Sequence, residues 1–375
     1  MIIKSAEYTD FRNIESARLD FSPTSTILFG KNAQGKTNML EGIYLFAQGK
    51  SMRAVHDEEM VRFGSDYALV RIVYESGGSE NTLIMQIGNF GGGKRKQISK
   101  NGVRLERLSE LIGSFRAVLF CPEHLFIVKG SPSERRSFVD VAISQLKPLY
   151  MRTLQRYNKV LFGRNAELKR AREGGDRRLL LEAWSEQLAE LAAKITVERC
   201  EYIDSLALAS GEIYSDMTGG AETLGLSYRG CSRLGGEYRD EARIRKIYLS
   251  LLTENTEREI FLGSTQYGTH KDDIEITLDG REAKSFASQG QERGIVLSMK
   301  LAEGECSRRR TGEYPVFLFD DVLSELDPQR RSFVASGLGE RQVIITACDL
   351  SASRRIPNGR KYYIKDGSAK ESCAR

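Results

Sequence analysis

Roughly the first 120 residues alternate apolar and polar positions in short runs, among them Ser25 to Phe29, Tyr67 to Tyr74 and Thr82 to Ile87. The turn sequences Ser76-Gly77-Gly78, Gly91-Gly92-Gly93 and Asn101-Gly102 separate them. Alternation of period two between turn signals predicts half-buried strands. From Ser133 to about Ser215 the texture changes: Gly and Pro almost vanish, and Leu181, Trp184, Leu188, Leu191 and Ile195 fall at helical spacing, predicting three or four helices. Beyond about Leu252 strands and helices mix again, through the continuous apolar runs Val316 to Phe319 and Val343 to Thr346. Such runs fit strands covered on both faces. The pattern predicts an α/β head with a mixed β-sheet, residues 1–115 plus 255–375, into which an α-helical arm, residues 120–254, is inserted.

The chain has 375 residues, enough for two compact units, and 40% hydrophobic with 29% charged residues exclude wholesale disorder and a fibrous repeat. No apolar run is long enough to span a membrane, and Met1-Ile2-Ile3-Lys4 leads straight into a strand, so a cytoplasmic protein is expected. Six scattered cysteines without a CxxC pair read as reduced thiols, with no disulfide or zinc site.

The net charge of +5 is too slight to name a partner, but it is unevenly distributed. Between Ser131 and Leu180 there are 12 Lys+Arg against 5 Asp+Glu, a balance of +7 that leaves −2 for the remainder. Arg135, Arg136, Arg152 and Arg156 in this segment, and Lys94 and Arg95 in the glycine loop, are candidate contacts to nucleic-acid phosphates. On composition alone the same segment reads more readily as a solvated helical face.

The strand Thr26 to Phe29 runs into Gly30-Lys31-Asn32-Ala33-Gln34-Gly35-Lys36-Thr37 and then into an apolar helix, the context a GxxxxGK[ST] phosphate loop requires. Backbone N–H groups at a helix start cradle phosphates, Lys36 neutralises the β- and γ-phosphates of ATP, and the Thr37 hydroxyl ligates Mg²⁺. The apolar strand Val316 to Phe319 ends in Asp320-Asp321, carboxylates at the strand end where ligands bind in parallel sheets. Asp320 would complete the Mg²⁺ shell and Asp321 would orient or deprotonate the attacking water. Ser288-Gln289-Gly290-Gln291 opens a further helix, a spacing that suits an anion site or a plain cap.

Phosphate loop, Ser288-Gln289-Gly290-Gln291, Asp320-Asp321 and Ser324-Glu325-Leu326-Asp327 follow one another as the Walker A, signature, Walker B and D-loop motifs of ABC-type ATPase heads do. With Phe11-Arg12-Asn13, Gly35 to Glu41, Lys129-Gly130-Ser131-Pro132-Ser133, His270 with Asp272-Asp273, and Asp321 to Asp327, essentially the whole chain resembles the RecF family, bacterial recombination-mediator ATPases related to the SMC proteins. The resemblance implies an ATP-driven homodimer in which Ser288 and Gly290 of one subunit meet the γ-phosphate bound to the other, with Ser324 and Asp327 in the D-loop. It implies a clamp on single- and double-stranded DNA at gapped junctions, partners RecO and RecR that act on RecA, a part in SOS induction, a nucleoid-associated location and weak, DNA-stimulated ATP hydrolysis that releases the clamp. Arg12 resembles a basic residue that reaches the nucleotide in SMC-type heads.

Departures from the family pattern accompany the match. Thr269 and Lys271 flank His270 where Pro and Arg are usual, and His124 stands for Asp beside Glu123, which occupies the Q-loop-like position. Cys348 falls where ABC ATPases carry the switch histidine, and Glu292 replaces a Gln. The missing histidine implies slow hydrolysis. A transporter ATPase would need that histidine and would lack the basic insertion; a chromosome-organising protein that rarely hydrolyses ATP is the other rival.

Overall fold

The computed structural model describes residues 1–88, 96–175, 177–321, 327, 330–333, 339–349 and 359–372. Two compact units emerge: Met1–Leu125 with Asp216–Gly219 and the described residues from Ser288 onward, and Phe126–Ser215 with Gly220–Ala287. The second unit thus ends at Ala287, beyond the limit of 254 expected from sequence texture.

In the first unit the chain forms β1 (Ile2–Phe11), β2 (Ile14–Asp20), β3 (Ser25–Phe29), α1 (Lys36–Gln48), β4 (Tyr67–Ser76), β5 (Ser79–Gly88), β6 (Lys96–Lys100), β7 (Val103–Leu105), α2 (Leu108–Leu111) and β8 (Ala117–Phe120). The second unit follows with α3 (Phe126–Lys129), α4 (Pro132–Leu146), α5 (Pro148–Arg172), α6 (Arg178–Thr218), β9 (Leu224–Arg229), α7 (Glu241–Glu254), α8 (Thr256–Leu262), β10 (Asp273–Leu278), β11 (Arg281–Glu282) and α9 (Ala283–Phe286). The chain then returns to the first unit with α10 (Gln289–Thr311), β12 (Val316–Asp320), β13 (Val343–Ala347), β14 (Arg360–Lys365) and β15 (Ser368–Glu371).

An antiparallel sheet of order β2-β1-β4-β5-β6-β7 and a second sheet of order β15-β14-β3-β13-β12-β8 build the head, and in the latter all neighbours pair in parallel except β14 and β15. Every residue of β12 is buried, the consequence of a strand flanked on both sides by parallel neighbours and read in the sequence as an unbroken apolar run. Tyr8, Phe11, Leu28, Met39, Ile43, Leu119, Leu318 and Ile344 share one core that joins both sheets to α1. Tyr8 Oη donates to Met39 O at 2.7 Å, which ties the antiparallel sheet to the helix that follows the phosphate loop.

The second unit is led by α6, 41 residues and so about 60 Å long at 1.5 Å per residue. Its sheet has the order β11-β10-β9. The β9–β10 pairing explains the displaced boundary, because Ile274 meets Tyr228 and Ile276 meets Leu226, binding residues beyond 254 to the arm. Ion pairs hold its interior: fully buried Arg164 pairs with Glu259 at 2.7 Å, and Arg199 grips Asp140 with two bonds of 2.8 and 2.9 Å.

Candidate functional site

The turn from β3 into α1 needs glycine at both ends. Gly30 has φ 153°, and a Cβ there would lie 2.3 Å from Ile364 O on β14; Gly35 has φ 106°, with Asn13 Oδ1 at 2.8 Å from its missing Cβ. Asn13 also accepts from Asn38 Nδ2 at 2.8 Å, so the β1–β2 turn braces the start of α1. Lys36 is buried, and its Nζ donates to Gly30 O at 2.5 Å and Lys31 O at 2.8 Å, which holds the ammonium inside the loop where phosphate oxygens would replace the carbonyls.

β12, two strands from β3 in the sheet, delivers Asp320 to this loop. The Thr37 hydroxyl donates to Asp320 Oδ1 at 2.9 Å, and Thr346, at the end of β13, donates to the same oxygen at 2.7 Å. Burial pushes the Asp320 carboxyl above its ordinary range, the two hydroxyls pull it down, and the like charges of Glu123 and Asp321 push it up again. A hard cation answers this arrangement, because a buried carboxylate and a hydroxyl on adjacent elements offer the two protein oxygens that Mg²⁺ takes alongside nucleotide phosphates. No group of three or more metal-ligating side chains occurs among the described residues.

Asp321 follows in the left-handed region, φ 53°, with its N–H donated to Thr346 Oγ1 at 2.8 Å. Asp tolerates this conformation better than most residues, and a fixed left-handed residue at a strand end re-aims its side chain. Cys348, one residue beyond β13, donates to Asn32 Oδ1 of the phosphate loop at 2.9 Å and lies 3.8 and 3.9 Å from the Asp321 carboxylate oxygens. The position of the absent switch histidine therefore holds a thiol donor. Burial and the Asp321 charge raise that thiol above its usual pKa and keep it protonated. Glu123 lies in the turn after β8, exposed and close enough to act on Asp320. His124 beside it accepts the Cys121 N–H on Nδ1 at 3.2 Å, the role a carboxylate would play in the same turn.

Ser288 caps α10: its hydroxyl accepts the Gln291 N–H at 3.3 Å and its own N–H donates to Gln291 Oε1 at 2.8 Å. Gly290 does not have a positive φ, and a Cβ there would meet only Arg330 Nη1, at 3.7 Å, which is ordinary contact. Nothing described in its own chain requires a glycine here; bare backbone at a helix N-terminus leaves room for an anion to approach. Of the D-loop, Asp327 accepts from the Arg330 backbone N–H at 2.9 Å, and Ser324 lies outside the described residues.

Other expectations are corrected. Arg12 forms two bonds to the buried carboxylate of Glu41, at 3.0 and 2.8 Å, and a third to Glu59 O, and so braces α1. Arg135 is buried and bonds Asp273 at 2.7 and 2.9 Å, and Arg136 donates to Asp272 O at 2.6 Å. Arg135 serves the interior of the arm and is removed from the DNA-facing set, whereas Arg136 is half-buried and anchored through one nitrogen. Arg152 and Arg156 stand exposed on α5, and Lys94 and Arg95 fall outside the described residues. Thr346 and Arg330 carry no motif in the sequence, and Asn13, within Phe11-Arg12-Asn13, has no role assigned by it; the β13 register and the fold of the β1–β2 turn reveal what Thr346 and Asn13 do.

The family described as RecF/RecN/SMC N terminal domain matches residues 2–362. The DNA replication and repair protein RecF of Ruminiclostridium cellulolyticum is 38% identical over 92% of both chains, and that of Staphylococcus carnosus 38% over 98% of this chain and 99% of its own. This chain belongs to the RecF family. A solved structure of the recombination mediator protein RecF with ATP, in the RecFOR pathway, superposes with a TM-score of 0.91 at 33% identity, covering 99% of this chain and 98% of that one. The Smc head domain of Pyrococcus furiosus, at 18% identity and TM-score 0.57, shares the fold. RecF membership gives the phosphate loop, Asp320 and Asp321 their setting in an ABC-type ATPase head. No described helix is long and apolar enough to cross a membrane.

Proposed function

We propose that the chain is an ATP-dependent DNA-binding protein of recombinational repair and replication, whose ATP-bound homodimer clamps gapped DNA and assists RecO and RecR in loading RecA. The observation that carries the nucleotide half is the Thr37–Asp320 contact of 2.9 Å, which joins the phosphate loop to the acidic strand end. The head spans Met1–Leu125 and the chain from Ser288, and the arm lies between them.

Mg²⁺ held by Thr37 and Asp320 would neutralise charge on the β- and γ-phosphates. Lys36 exchanges its carbonyl partners for phosphate oxygens. Asp321 orients the attacking water and accepts its proton, with its carboxylate fixed by the left-handed backbone and by the Thr346 bond to its N–H. Ser288 and Gly290 present the N-terminus of α10 to the nucleotide of a second copy, which couples ATP to dimerisation. Cys348 provides one weak S–H donor where an imidazole would be stronger, in keeping with slow turnover. Support for DNA contact comes from the exposed cations of the arm and from the repair role named for the RecF relatives.

Sedimentation tests the reading directly. ATP is expected to dimerise the wild-type protein and to leave Ser288→Arg and Lys36→Ala monomeric, and gel shifts on gapped DNA are expected to require ATP and to weaken steeply with salt. A wild-type protein that stays monomeric with ATP, or binds gapped DNA equally well without it, overturns the clamp.

A further inference from the structure

Arg330 is placed where its own chain has little use for it. Its Nη1 lies 3.7 Å from where a Cβ of Gly290 would be, beside the first turn of α10. A helix of 23 residues carries a partial positive charge at that end, so a guanidinium beside it is electrostatically unfavourable. Asp327 accepts from Arg330 Nη1 and offsets part of the cost. The acidic residue of the first turn, Glu292, is buried, while Arg293 next to it adds a further cation. The Arg330 side chain is 19% exposed, and its Nε is hidden from solvent with no hydrogen-bond partner among the described residues. An unsatisfied N–H hidden from solvent costs free energy unless a ligand completes it. The same turn holds Gly290, whose lack of a side chain nothing among the described residues explains. Cation, positive helix end, vacant space and unpaired donor all call for one thing, an anion with several acceptor oxygens.

We propose that Arg330 is a phosphate-binding group of the signature face and donates to the terminal phosphate of the nucleoside triphosphate held by the phosphate loop of a second copy. The inference rests on the dimeric reading above and adds a residue to it. Ser288 and the α10 backbone supply neutral donors, and Arg330 supplies the charge. Its pairing with Asp327 is the resting state; on dimerisation the guanidinium keeps the Asp327 bond through one nitrogen and turns its remaining donors to the phosphate. Because the charge on the phosphoryl oxygens is redistributed during transfer, the contact favours turnover as well as assembly.

Mixing two defective proteins tests where Arg330 acts. Arg330→Gln alone is expected to lose at least about tenfold in ATPase rate, as removal of one charged donor from a phosphoryl-transfer site does, and to dimerise poorly with ATP. Lys36→Ala alone is inactive. In the mixed dimer one site combines both defects, whereas the other joins the intact phosphate loop of the Arg330→Gln protomer to the intact signature face of the Lys36→Ala protomer, so mixing restores activity. The restoration also shows that Arg330→Gln is folded. The pair Ser288→Arg with Lys36→Ala serves as reference: if it fails to complement, the dimeric reading itself falls. If it complements and the Arg330→Gln pair does not, or if Arg330→Gln keeps wild-type turnover, the assignment of Arg330 is wrong.

Discussion

His270 and Asp272 stand two residues apart inside the arm and titrate in opposite senses, which makes an acid series a sharp probe of the structure. His270 Nδ1 accepts the Tyr157 hydroxyl at 2.7 Å and Nε2 donates to Thr265 O at 3.2 Å, so the ring is bound as neutral imidazole. Burial lowers its pKa to about 4 from 6.5, aided by Lys271, Arg136 and Arg164 and opposed by the Thr265 carbonyl. Burial raises Asp272 to about 6 from 3.8, against the pull of Arg199, Tyr228, Arg136 and Tyr248. A depressed histidine contributes stability above pH 6.5 that is lost as pH falls to 4; the interval of 2.5 units is worth about 3 kcal/mol. A raised carboxyl contributes stability at low pH that is lost as pH rises from 3.8 to 6, an interval of 2.2 units and again about 3 kcal/mol. In the wild-type protein the two trends nearly cancel.

Single substitutions separate them. His270→Gln can keep both hydrogen bonds but cannot be protonated, so relative to wild type it should gain more than about 2 kcal/mol between pH 7 and pH 4.5. Asp272→Asn should lose a comparable amount over the same range, because the wild-type carboxyl takes up a proton that the amide cannot. Trp184, the single tryptophan, lies on α6 with its ring against Gly163 of α5, so its fluorescence in urea reports unfolding of the arm without interference from the head. Stabilities of wild type and His270→Gln that run parallel within about 0.5 kcal/mol from pH 7 to 4.5 would refute a buried neutral His270.

Three further outcomes are expected. Arg135→Ala strands Asp273 and should cost the Trp184 transition about 3 kcal/mol while the folded protein binds DNA as before; Arg156→Ala should change stability by less than about 0.5 kcal/mol and flatten the salt dependence of DNA binding by about one ion. Denaturant curves and salt titrations decide, and a reversed pattern would return Arg135 to the DNA surface. Thr37→Val removes a hydroxyl from Asp320 and from the metal, so ATP affinity measured by calorimetry should fall about tenfold in Mg²⁺ and stay unchanged in EDTA; an equal loss in both buffers would exclude Thr37 as a ligand. Cys348→Ala should lower single-turnover hydrolysis several-fold with ATP affinity intact and Cys348→Ser should retain it, whereas equal rates in all three proteins would show that the thiol has no part in holding Asp321.

What could be read from the sequence and what could not divides by the distance between partners. The phosphate loop is contiguous, its glycines are demanded by backbone geometry within a few residues, and β12 announces its double burial by composition alone. Asp320 and Thr37 are far apart in sequence, but each closes a local pattern whose geometry is known in advance. Arg135 looks like any exposed arginine of a basic helix because its partner, Asp273, lies 138 positions away. His270 is similarly opaque until Tyr157, 113 positions earlier, is placed against it. The arm boundary was misplaced for the same reason: β9 and β10 belong together through pairing, while the sequence changes texture at the helices between them.

Charge shows the limit most clearly. A balance of +7 over fifty residues counts Arg135, Arg136 and Arg164 as though they faced water, although each is held by acceptors within the arm. The same window stops before α7, where Arg243, Arg245 and Lys246 are exposed. Glu190 on α6 is held below its ordinary range first by its bond to Lys194 and also by the charges of Arg156 on α5 and Arg245 on α7. Both cations therefore lie near this part of α6. The surface we propose for DNA is therefore a patch across helices that draws on the exposed Arg152, Arg156 and Lys159 of α5 and Arg245 and Lys246 of α7. A duplex backbone repeats its charges in two dimensions, and a patch of this kind can meet phosphates on both strands.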